Sequence, residues 1–162
     1  MEGAVAYDDE KLYLLLDVHD DIHFQRQEPG KLWSQDAVQV GIDSLANALP
    51  YVHGYGQDDY EFGFGLTPEG PAVEVTQLYE VGRLREVQAA ITARVERHDD
   101  ITRYRIAIPW SALKLTPRQG MIFAMNVIAN DDDGHGRRFW MGLTPGIAET
   151  KNPYVFMKFS LE

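Results

Sequence analysis

The sequence contains no cysteine. Disulfides, thiolate zinc sites and a cysteine nucleophile are therefore excluded, while the compartment stays open, because secreted domains can manage without disulfides. Cationic side chains are in deficit: 15 Lys and Arg stand against 25 Asp and Glu, a formal net charge of -10 at pH 7. An acidic surface repels phosphodiester backbones, so nucleic acid is not an expected partner. Neutral sugars and divalent cations carry no such penalty. No apolar run is long enough to cross a membrane, and no membrane partner is expected. Met1-Glu2-Gly3 leads straight into strand-like sequence, without the pattern of a secretion signal. Catalytic signatures are missing as well. There is no G-x-S-x-G, no H-E-x-x-H and no carboxylate pair singled out for glycoside hydrolysis. A non-catalytic protein is expected.

What is present is period-2 alternation over 162 residues, of which 44% are hydrophobic. That length makes one ordinary domain spanning residues 1–162, large enough to close a core without staples. Leu12, Leu14, Leu16 and Val18 share one face of a strand, as do Val38, Val40 and Ile42. Ile91, Ala93 and Val95 alternate with polar neighbours, and so do Tyr104, Ile106 and Ile108. Met121 to Asn130 is more uniformly apolar and reads as a central strand, and Tyr154 to Leu161 closes the chain. Turn chemistry separates these runs, as at Glu28-Pro29-Gly30, Thr67-Pro68-Glu69-Gly70-Pro71 and Asp131-Asp132-Asp133-Gly134. His98-Asp99-Asp100 predicts a hairpin. The one helical piece expected is a single turn over Pro109–Lys114. Many short strands with little helix predict an all-β fold: an antiparallel β-sandwich of jelly-roll or immunoglobulin-like type.

Four segments in order resemble the family 9 carbohydrate-binding modules. They are Leu12 to Asp20, Leu32-Trp33-Ser34-Gln35-Asp36-Ala37-Val38-Gln39-Val40-Gly41-Ile42-Asp43, Tyr104 to Trp110, and Phe123 to Asp131. The resemblance implies a jelly-roll-like sandwich, structural calcium, an oligo- or polysaccharide ligand, and an extracellular setting beside a glycan-degrading enzyme. It also implies an extra strand ahead of Lys11. Only ten residues precede Lys11, so that strand is expected to be missing, leaving a sheet edge open for homodimer pairing. The family's sugar slot uses two tryptophans, an acid and an arginine. Trp33 matches the first tryptophan. Gln39 stands at the acid, Gly63 at the arginine and Thr150 at the second tryptophan.

Sugar recognition needs an aromatic face for pyranose C–H groups and polar groups for the hydroxyls. The expected contacts are Trp33, between a Pro-Gly turn and a strand, and Gln39. Trp140 is expected as a replacement stacking partner, and Tyr55 and Tyr60 come from a Gly-rich stretch. Trp110 is expected in the core. Calcium needs clustered oxygens, and Asp20 and Asp36, both at motif positions near Trp33, are the expected ligands. His19 and His23 are four apart, but in a strand and loop that spacing does not make a zinc site.

Two alternative functions stay open. A haem-binding electron-transfer module would use Met121, Met125, Met141 or Met157 with His19 or His135 as axial ligands. A structural or interaction module of the same fold would have lost its ligand slot, as the replaced second tryptophan and arginine suggest.

Overall fold

In the computed structural model, which describes residues 1–162, the alternating segments become two stacked antiparallel sheets. The strands are β1 (Glu2–Tyr7), β2 (Lys11–His19), β3 (Ala37–Asp43), β4 (Asp59–Thr67), β5 (Gly70–Leu78), β6 (Thr92–His98), β7 (Ile101–Pro109), β8 (Ile122–Asp131), β9 (Phe139–Gly142) and β10 (Met157–Ser160). One short helix, α1 (Leu84–Ala90), joins β5 to β6. The first sheet runs β1-β2-β7-β6. The second runs β10-β8-β3-β4-β5, with β9 also on β8. β9 and β10 share one edge of β8: β10 pairs with its first half and β9 with its second.

The stripes read from the sequence face each other across the core. Leu12, Leu14 and Leu16 of β2 and Tyr104, Ile106 and Ile108 of β7 meet Val38, Val40, Ile42, Phe62, Phe64, Phe123, Met125 and Val127. Trp110 is fully buried at the turn after β7, where its indole N–H donates to the Asp8 carbonyl at 2.9 Å. The predicted hairpin joins β6 to β7, and Asp99 takes the positive φ of 53° that such a tight turn requires.

Four expectations change. The strand ahead of Lys11 is present: β1 pairs with β2 from Glu2↔Asp17 to Tyr7↔Leu12. β2 is thereby an inner strand, and β1, exposed throughout, is the edge of that sheet. Trp110–Leu113, inside the predicted Pro109–Lys114 stretch, is a 3₁₀ turn, but α1 is a helix that the sequence reading missed. The closing strand shrinks to Met157–Ser160 because Pro153–Val155 forms another 3₁₀ turn.

The fourth change creates the site. A polar-outward strand is expected to be wet on its outer face, yet every residue of β3 is buried. Loops fold over the outer face of the second sheet. Ile147 and Phe156 press on Gly41, where a Cβ would come within 2.7 Å of the Phe156 ring. At the other end Gln25 and Leu32 lie over Gly65. Between these two covers the face stays open.

Candidate functional site

The gap is a cleft of about 550 Å³, within the usual size range of small-molecule sites. Its lining includes Trp33, Gln39, Tyr55, Glu61, Arg137 and Lys151. Each comes from a different stretch of chain, and the sheet holds them together.

Glu61 is the centre of the floor. It projects from the outer face of β4, 2% exposed, between Tyr60 and Phe62, which face the core. Its carboxylate accepts from Gln39 Nε2 at 2.7 Å, from Lys151 Nζ at 2.7 and 2.9 Å, and from the Tyr55 hydroxyl. Thr76 Oγ1 lies 3.0 Å from the same carboxylate. A register shift opposite Glu61 and Phe62 makes Thr76 the extra residue of β5 there, and this turns it into the site. Burial and the adjacent Glu61 charge hold the Tyr55 phenol well above its usual range, so it stays a neutral donor.

From Glu61 a chain of hydrogen bonds crosses the sheet. Asn130 Nδ2 donates to Gln39 Oε1 at 3.0 Å, and Arg137 Nη1 donates to Asn130 Oδ1 at 3.0 Å. A carboxylate can only accept and a guanidinium can only donate, so the two ends fix the orientation of both amides between them. The chain thus runs Arg137→Asn130→Gln39→Glu61, with every link satisfied. Such a network polarises along its length and resists rearrangement.

Trp33 forms the wall against which Arg137 lies. It sits on the 3₁₀ turn Leu32–Ser34 and is 42% exposed, while Leu32 beside it is fully buried. Several contacts lock that turn. Glu74 accepts from the backbone N–H groups of Gly30 and Leu32, and Gln25 Nε2 donates to the Leu32 and Asp36 carbonyls. The Arg137 N–H donates to the Ser34 carbonyl at 2.9 Å. The Arg137 guanidinium then lies over the Trp33 ring, 5.1 Å from its centroid. Gly63 makes this arrangement possible, because a Cβ there would stand 2.5 Å from a Glu74 carboxylate oxygen. Rigid placement of an aromatic face beside satisfied polar groups is what a binding site needs.

The structure sorts the expected contacts. Trp33, Gln39 and Tyr55 line one cleft. Gln39 spends both ends of its amide on Asn130 and Glu61, so it holds the floor. Tyr60 is a correction: it is 3% exposed, faces the core and stacks on Phe62 at 6.2 Å, so no ligand can reach it. Trp140 is another. On β9 it pairs beside Asn130 and packs, half-buried, toward the Ile128–Ile147–Phe156 cluster, lining a separate small groove with His19 and Asp20. Tyr55 is the second aromatic of the cleft. Glu61, Thr76, Arg137 and Lys151 were missed. The signal for Glu61 was its parity, since it alternates with Tyr60 and Phe62. Arg137 and Lys151 sit in loops without periodicity and left no such signal.

The expected calcium ligands also come together. Oxygen or nitrogen atoms of Asp20, His23 and Asp36 lie within 4.8 Å of one another, as do those of Asp20, Asp131 and Asp133. Burial is the main force on Asp36, with Asp20 and Asp131 adding repulsion, and its pKa rises to about 7. Both Asp36 oxygens already accept backbone N–H groups, from Phe24 and Asp132. A second cluster joins Asp43, Asp58 and Asp59 on the same 4.8 Å criterion. Burial, then the charges of Asp43 and Asp58, push Asp59 up to about 6. One Asp58 oxygen is buried without any partner. An orphaned carboxylate oxygen among other carboxylates suits a hard cation.

Known proteins share this architecture. The family model described as "Carbohydrate family 9 binding domain-like" matches residues 2–162. A family 9 carbohydrate-binding module from Caldicellulosiruptor kristjanssonii, solved in complex with cellotriose, superposes with a TM-score of 0.75 at 17% identity, covering 99% of this chain and 73% of its own. Solved in complex with glucose, the module from that organism gives a TM-score of 0.75 at 18% identity, with coverages of 99% and 75%. A protein from Bacteroides uniformis superposes at 0.54 with 12% identity over 98% of this chain and 76% of its own. No curated protein matches the sequence. These structural likenesses fix the fold as a family 9 type β-sandwich, and by the match over residues 2–162 the chain belongs to the carbohydrate family 9 binding domain-like family.

Proposed function

We propose that the cleft between Trp33 and Lys151 binds a saccharide without chemically changing it. The observation that carries this reading is the locked Trp33 turn set over a saturated polar floor. A half-exposed indole offers a face to pyranose C–H groups, and Arg137, Lys151 and Gln77 offer hydrogen-bonding groups at the rim. The solved relatives with cellotriose and glucose support a ligand of that class. Chemistry is disfavoured by the floor itself. Glu61 is the one carboxylate lining the cleft, and it is tied to several donors, whereas glycoside hydrolysis needs two carboxyl groups facing each other.

Calcium at the acidic clusters belongs to the same reading. Asp43, Asp58 and Asp59 would hold one ion, and Asp20 another, either with His23 and Asp36 or with Asp131 and Asp133. A bound ion supplies the positive charge that these crowded carboxylates lack and ties the loops that carry them. Family membership further supports an extracellular module working beside a glycan-degrading enzyme.

The test is isothermal titration with glucose, cellobiose, cellotriose and xylotriose, with tryptophan fluorescence in parallel. Saturable binding of at least one of them, weakened tenfold or more by Trp33→Ala, is the expected result; the size follows from losing a stacked aromatic contact. No heat and no fluorescence change with any saccharide overturns the proposal.

A further inference from the structure

The charge pattern of the cleft names a narrower ligand. Apart from the neutral Tyr55 phenol, three ionisable side chains line it: Glu61, Lys151 and Arg137. Glu61 and Lys151 form an ion pair at 2.7 Å and neutralise each other. Arg137 is left over. Its one side-chain partner is the neutral amide oxygen of Asn130.

This is unusual within the molecule. Four arginines are partly buried: Arg83, Arg97, Arg103 and Arg137. Arg83 pairs with Glu80 and Glu86, Arg97 with Asp20, and Arg103 with Asp17. Arg137 has no carboxylate partner, although carboxylates outnumber cations in this chain. Desolvation pulls its pKa down with no opposing charge to restore it. A half-buried guanidinium without a counter-charge is costly. It is kept in place all the same, by its own backbone bond to Ser34, by Asn130, and by the Trp33 ring beneath it. Its remaining N–H donors are free for a ligand.

We propose that the cleft takes an acidic saccharide, of the uronic acid class, with the sugar carboxylate seated on Arg137. This rests on the reading of the cleft as a saccharide site and goes beyond it by adding a charge requirement. A planar guanidinium fork matches a carboxylate in two parallel hydrogen bonds, which a neutral hydroxymethyl group cannot form. Lys151, 45% exposed across the cleft, is spent on Glu61 and adds no net charge, so Arg137 alone carries the charge requirement. The overall charge of the molecule opposes an anion only at a distance, because screening limits that repulsion to about 8 Å at physiological ionic strength.

The experiment compares matched ligands by titration calorimetry at about 0.15 M salt: glucuronate against glucose, and trigalacturonate against cellotriose. Glucose 6-sulfate serves as a non-planar anion. Arg137→Gln and Arg137→Lys are run beside the natural sequence, with thermal unfolding to check their fold. The expected result is that the uronates bind about tenfold or more tightly than their neutral counterparts, the gain typical of a charge-assisted pair. That preference should vanish in Arg137→Gln and survive in part in Arg137→Lys. Uronates binding no better than neutral sugars, or a sulfate preferred to the carboxylate, overturns the inference and leaves the saccharide site standing. A uronate preference that Arg137→Gln does not change also overturns it. Binding of none of these ligands removes the saccharide reading and this inference together.

Discussion

Replacing Glu61 with alanine is the sharpest perturbation of the site's construction. The carboxylate is 2% exposed and accepts from Gln39, Lys151 and Tyr55, with Thr76 alongside. Alanine leaves the Gln39 amide and the Tyr55 hydroxyl as enclosed donors without an acceptor, at about 1–3 kcal/mol each. Lys151 is 45% exposed and can turn to water, so its share is discounted. Relief of the carboxylate's own desolvation offsets part of the loss. The balance is a destabilisation of about 3 kcal/mol, the lower end for one partner removed from a buried pair. Glu61→Gln keeps the volume and one acceptor oxygen, and should cost about half as much. Urea unfolding with an unchanged m-value reads the difference directly. A loss below about 1 kcal/mol for Glu61→Ala, or equal losses for the two variants, would refute the view that Glu61 organises the floor.

The acidic clusters predict an inverted pH response. Asp36 titrates near 7 and Asp59 near 6 in the folded protein, against about 4 when unfolded. Raised folded values mean that the folded state holds extra protons between these limits, so stability falls as pH rises through that window. Asp17, lowered by Arg103, is ionised throughout and does not contribute. Chelator-treated protein should therefore melt lower at pH 8 than at pH 5, and calcium should raise the melting temperature at pH 8 far more than at pH 5. Equal melting at both pH values with no calcium effect would contradict the metal reading. Gly63→Ala drives a methyl into Glu74 and so loosens the Trp33 turn; a stability loss of about 1–3 kcal/mol with weaker saccharide binding is expected, measured by urea unfolding and calorimetry. Tyr60→Phe, on the core face of the same strand, should leave saccharide affinity within about twofold, since a residue out of ligand reach contributes no contact energy; a larger drop in a titration would mean that the face assignment of β4 is wrong.

The strands that build the sandwich were largely legible, because β2, β7 and β3 carry their alternation openly and one buried face fixes the register. β1 was legible only as strand-like sequence after Met1-Glu2-Gly3, because its residues are exposed throughout and carry no stripe to fix a partner. The site was legible only in part. Trp33 is readable from its turn and its motif, and Gln39 from its place on β3. The rest depends on contacts distant in sequence. Asn130 reaches Gln39 across 91 positions, and Lys151 reaches Glu61 across 90. Local patterns carry no information at that range. The polar outer face of β3 and β4 is buried only by the folded loops, which no strand pattern reveals. Tyr60 and Trp140 were misplaced because aromatic residues near glycine-rich or charged segments resemble binding residues whichever face they end on.

The central claim is that saccharide binds at Trp33 on this face and nowhere else. The chain has three tryptophans, and they occupy three distinct settings: Trp33 at the cleft, Trp140 beside β8, and Trp110 in the core. A nitrogen–proton correlation spectrum resolves their indole N–H signals separately. On titration with the tightest-binding oligosaccharide, the Trp33 indole and the Arg137 side chain should shift and saturate together while Trp110 stays fixed. Saturating shifts at Trp140 or along β1, with Trp33 unmoved, would contradict the account.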